Sequence, residues 1–108
     1  MVMRFGTWNV RTVLQAANMN MTAEEVERYT RKMDVAALQE IRWKGKGSIR
    51  KVKFTLHYCG NGRQGNGGVG FIVSKKATVS VLGFSPISER ICTLQIKDKF
   101  HNITFVNV

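Results

Sequence analysis

"RFGTWNVRT" (4–12) and "DVAALQE" (34–40) decide the fold of this 108-residue chain. In the first, Phe5, Trp8 and Val10 supply the bulky and β-branched side chains of a strand over 3–10, which carries Asn9 at its end. In the second, Val35-Ala36-Ala37-Leu38 is a short unbroken apolar run, as in a strand buried on both faces, and it leads straight into Glu40. Residues 11–21, "RTVLQAANMNM", are ambiguous between a loop and a short helix. Thr22-Ala23-Glu24-Glu25 then has capping-box form, with hydroxyl and carboxylate each satisfying a free amide of the first turn. The predicted helix runs to about Met33. Ala23, Val26, Tyr29 or Thr30, and Met33 share one face, and its early acids and late bases suit the helix dipole.

Strand, helix, strand predicts two parallel strands joined by a right-handed crossover, with their carboxyl ends on one edge of the sheet. That edge is where open α/β sheets bind ligands, and Asn9 and Glu40 fall on it. A carboxylate and a carboxamide are hard oxygen donors suited to Mg²⁺, a metal that phosphoester hydrolysis uses to polarise a phosphoryl oxygen. Strand ends also carry Asn and Glu simply as caps and turn residues, so the residue types alone leave both readings open.

From residue 53 the pattern becomes strands separated by turns, at 53–59, 69–74, 78–84, 90–97 and 102–108. Cys92, Leu94 and Ile96 alternate with Thr93, Gln95 and Lys97, the period of a half-buried antiparallel strand. Connections near 75–77 and 97–101 are short enough for hairpins. The glycine-rich "GNGRQGNGGVG" (60–70) satisfies GxGxxG through Gly60, Gly62 and Gly65, but a strand follows it and not a helix, so it reads as a hairpin loop carrying Arg63.

The chain is one domain at most. Its hydrophobic fraction of 44%, with a single Pro, is that of a folding chain. Cys59 and Cys92 lack the spacing of a zinc or redox motif and are expected as reduced, half-buried strand residues. His57 is expected mid-strand and His101 in a hairpin, both structural or surface residues. No apolar run suits a signal peptide or a membrane span, and the expected location is intracellular, nuclear or cytoplasmic.

Net charge is +10. Arg42, Lys44, Lys46, Arg50, Lys51 and Lys53 fall in one window without an acid, which favours a polyanion partner over a membrane because the window lacks helical amphipathicity. A solvated basic loop is the plainer alternative.

"FGTWNVRT", "VAALQEIRWKGKG", "GGVGFIVSKK", "VLGFSPISERICTLQIK" and "ITFVNV" in series resemble the amino-terminal half of an endonuclease/exonuclease/phosphatase domain. Within that family the segments are most similar to the endonuclease regions of non-LTR retrotransposons and to craniofacial-development-like proteins. The resemblance implies an α/β layered fold, part of a four-layer α/β sandwich like deoxyribonuclease I, with a strand-helix-strand unit followed by a mostly antiparallel sheet. It implies that Asn9 helps orient the active-site phosphate, that Glu40 is a ligand of Mg²⁺ or Mn²⁺, and that the substrate is nucleic acid, DNA foremost.

Family members continue past the equivalent of Asn107-Val108 with Tyr-Ala-Pro and with the segments bearing the catalytic Asp and His. The expectation is therefore half a domain, inactive alone for want of a general base. Its uncovered sheet face would cost on the order of 10 kcal/mol at ~25 cal/mol per Å², which predicts marginal stability or association through that face. Two further readings stand beside this one: a non-catalytic basic nucleic-acid-binding module, and an interaction remnant.

Overall fold

A computed structural model of the protein describes residues 3–9, 28, 32–39, 44–61, 68–88 and 90–108. The eight strands are β1 (Phe5–Asn9), β2 (Val35–Gln39), β3 (Lys44–Arg50), β4 (Phe54–Asn61), β5 (Val69–Ser74), β6 (Val81–Ser88), β7 (Ile91–Lys97) and β8 (Asn102–Asn107). One helical turn, α1 (Lys75–Thr78), separates β5 from β6. The helix expected over 22–33 and the glycine-rich loop lie outside the described residues, apart from Arg28, which is helical, the turn after it, and the flanks of the loop.

Five strands form a mixed sheet in the order β1-β2-β5-β4-β3, and three form an antiparallel sheet in the order β6-β7-β8. β1 and β2 are parallel, with Phe5 opposite Val35 and Asn9 opposite Gln39, as the crossover reading requires. The other pairs are antiparallel. This is a layered α/β arrangement in which the described residues are mostly strand.

The sheets pack face to face. Val35, Phe71, Val73 and Cys59 from the larger meet Cys92, Leu94 and Ile96 from the smaller, with Ala37, Val81, Phe84 and Phe105 at the margin. Alternation along β7 holds as read: Cys92, Leu94 and Ile96 are buried while Gln95 and Lys97 face solvent. Ala36, Leu38, Leu56 and Ile72, on the opposite face of the larger sheet, are also buried. Such two-sided burial is why β2 and β5 read as unbroken apolar runs.

Several expectations are corrected. The inner sheet face expected to be bare is covered, because β7 lays its apolar side across β5 and β2. Both cysteines are free but buried at 6% and 0% exposure, deeper than half. Residues 75–77 make no hairpin: Ser74 caps α1 by accepting from Ala77 N at 3.1 Å, Thr78 Oγ1 donates to Ser74 O at 2.9 Å, and buried Ala77 turns the chain from one sheet to the other. The next strand accordingly starts at Val81 and not at 78.

Part of the basic window is a strand. Gly45 and Gly47 weaken its intrinsic preference. Pairing from Lys44 opposite Asn61 to Arg50 opposite Thr55 overrides this, and Tyr58, opposite Gly47, lays its ring where a glycine side chain would be: a Cβ at Gly47 would meet Tyr58 Oη at 3.1 Å.

Candidate functional site

The parallel register places Asn9 beside Gln39, so β1 and β2 end on one edge of the sheet. Glu40 lies outside the described residues, as do Arg42 and Arg63, and Asn9 and Lys44 are placed by register alone. The same edge collects the start of β3, the end of β4, the start of β5 and the end of β8.

A residue that sequence reasoning missed fastens that edge. Asn107, 3% exposed at the end of β8, donates through Nδ2 to Leu38 O and to Gly70 O, each at 2.8 Å. Its Oδ1 accepts from Gln39 Nε2 at 2.9 Å. Leu38 and Gly70 are register partners, so one carboxamide ties the smaller sheet to the β2–β5 seam beside position 40. A buried polar side chain with all these bonds made is a rigid joint. The "ITFVNV" strand pattern carries no sign of it, because its partners are distant in sequence.

Asp34 is the buried carboxylate among the described residues, and it is committed elsewhere. It accepts from Arg4 N at 2.8 Å and lies 4.0 Å from Arg4 Nε at the amino ends of β1 and β2, the far side of the sheet from Asn9. Among the described residues no three His, Cys, Asp or Glu side chains converge as a metal site.

The basic residues divide by face. Lys46, Ser48 and Arg50 share one side of β3, with Lys44 in the same register, and Lys51 follows in the turn. β3 is an edge strand, and Lys46, Arg50 and Lys51 are exposed. Beside them Ser48 Oγ and His57 Nδ1 share a 2.6 Å hydrogen bond, and the ring of His57 stacks on Phe84 at 5.0 Å. Burial holds this imidazole below its ordinary pKa. A Ser–His contact is the first link of a nucleophilic relay. The pair is a contact between β3 and β4, and among the described residues no carboxylate bonds to the ring. The thiols are equally inert: Cys59 Sγ donates to Ser88 O at 2.8 Å, and burial, then neighbouring Cys59, push Cys92 up to about 12.

No family model matches the chain. Craniofacial development protein 2 of Tragulus javanicus and of Bos taurus are each 27% identical over 103 residues, covering 95% of this chain and 17% of theirs. Among solved structures, the AP endonuclease of Leishmania major superposes with a TM-score of 0.64 at 17% identity, over 98% of this chain and 39% of that one. The chain thus spans less than a fifth of the curated relatives it matches and about two fifths of the solved structure. Its fold is nuclease-like, and among the described residues no helix is long and apolar enough to cross a bilayer. The chain is thus similar in sequence to craniofacial development protein 2 and in fold to an AP endonuclease.

Proposed function

We propose that the chain is the amino-terminal half of a divalent-metal-dependent phosphodiesterase domain that cleaves nucleic acid, DNA foremost, and that it is inactive by itself. The observation that carries this is the parallel β1–β2 register, which brings Asn9 and the residue preceding Glu40 to one edge. In this reading Glu40 holds Mg²⁺ or Mn²⁺, which when bound supplies charge stabilisation at a phosphoryl oxygen. Asn9 orients the phosphate, and Asn107 keeps the end of β2 from shifting. Lys44, Lys46, Arg50 and Lys51, with Arg42 and Arg63, neutralise the backbone of the bound strand. A general base would come from outside this chain. An intracellular location, nuclear or cytoplasmic, belongs to the same reading.

Titration calorimetry with Mn²⁺ on the chain and on Glu40→Gln tests it. Glu40→Gln is expected to lose at least about tenfold in affinity; identical isotherms would overturn the metal assignment. The exposed basic face of β3 favours one second reading, a non-catalytic nucleic-acid-binding module. Binding there would weaken steeply with salt and ignore both chelator and Glu40→Gln.

A further inference from the structure

We propose that the pole of the molecule opposite Asn9 is a second contact surface for the phosphate backbone of nucleic acid. This extends the nucleic-acid partner named above and does not depend on a metal.

Three pieces of chain meet at that pole. Lys51 N donates to Phe54 O at 2.8 Å and closes the β3–β4 turn, and Lys75 N donates to Lys53 O at 3.0 Å and docks α1 against it. Ser80 N donates to Ala77 O at 3.0 Å, and Lys97 N donates to Ser80 O at 2.8 Å, carrying the same seam to the smaller sheet. Lys51, Lys53, Lys75, Lys76, Lys97 and Lys99 are therefore held along one run of backbone hydrogen bonds that spans both sheets, and all six are exposed.

Among the described residues the ion pair is Arg4–Asp34, and none of the six lysines takes part in one. The exposed carboxylate nearby is Asp98, in the β7–β8 turn. Six exposed ammonium groups at one end of a small domain give that end a positive field, to which a polyanion is drawn.

The occupant follows from continuity. Lys46 and Arg50 line β3 from the Asn9 edge to this pole, a run of about 20 Å at ~3.3 Å per residue, matching roughly six nucleotides of one strand at ~3.4 Å each. Exposed Phe100, with Lys99 Nζ 5.3 Å from its ring centre, adds an aromatic surface on which an unpaired base can stack. Lysines beside exposed Phe100 and Val79 would also suit an anionic membrane. A membrane, however, has no use for a basic stripe running the length of a sheet edge away from it.

Fluorescence anisotropy of a labelled single-stranded DNA with the full chain, in EDTA and over a salt series, tests the proposal. The variant carrying Lys75→Glu, Lys76→Glu, Lys97→Glu and Lys99→Glu is expected to bind at least about tenfold more weakly, with a log–log salt slope shallower by about 3, whereas Lys→Arg at the same four positions keeps the slope. Acetylation of the unmodified protein, which needs no variant to fold, should show these lysines protected when DNA is present. An unchanged slope in a folded Lys→Glu variant, equal acetylation with and without DNA, or loss of binding to phosphatidylserine vesicles with DNA binding intact would each overturn it. Failure of the metal reading is separate, since Glu40→Gln changes none of these quantities in chelator.

Discussion

At the scale of single residues, Asn107 and His57 carry the clearest consequences. Asn107→Ala would strand Gln39 Nε2 and take a donor from two buried carbonyls, a cost of about 2–4 kcal/mol. Asn107→Asp, which sets a carboxylate against those same carbonyls, should cost more. Urea unfolding of both variants checks this, and equal midpoints for Asn107→Ala and the unmodified chain would remove the clamp from the account. His57 has its folded pKa lowered by burial, so between that value and about 6.5 the unfolded chain binds more protons than the folded one. Its contribution is fully present above about pH 6.5 and declines as pH falls through that window. His57→Phe, which can keep the stack on Phe84, is expected to flatten the acid-side fall of the thermal midpoint; an unaltered fall would assign it to other groups.

Among elements, β3 is the instructive one. Its glycines are there for two different reasons: Gly45 has φ +84°, where a side chain is strained, and Gly47 lies under Tyr58. Gly83 of β6 has neither constraint, since an added Cβ there meets open space. Gly45→Ala should therefore cost about 1 kcal/mol, while Gly83→Ala should be neutral or mildly stabilising. Denaturation midpoints that shift equally would contradict the backbone assignment. β6 shows the tolerance of an edge: Pro86 and two register shifts sit in it without disturbing β7, whose other neighbour, β8, completes the ladder.

For the whole molecule, the decisive fact is that the two sheets share one core. Leu94 is 0% exposed in β7 and packs with Phe71 and Val73 of β5, so Leu94→Ala opens a cavity felt by both sheets. It should cost about 2–5 kcal/mol. That is a large part of the ~5–15 kcal/mol typical of a domain, and it should be lost in one transition monitored by fluorescence and circular dichroism alike. Separate transitions for the two sheets would refute the shared core. The same packing covers the inner face of the larger sheet, while Leu82, Ile87 and Val106 of the smaller sheet stay exposed.

What the sequence alone determined were the features written in local periods: the co-directional strands ending at Asn9 and Gln39, the unbroken apolar runs of β2 and β5, and the alternation of β7. Each is a repeat of one side-chain pattern over a few residues, and burial on one or both faces produces it directly. Tertiary structure decided the rest. β3 is a strand because β4 and Tyr58 make it one, Asn107 is a clamp because β8 delivers it to carbonyls 69 and 37 positions away, and the lysine pole exists because α1 sews two sheet ends together. Hydrogen bonds and charge clusters formed between distant segments leave no period behind in the chain. Only the folded arrangement brings their members within reach of one another.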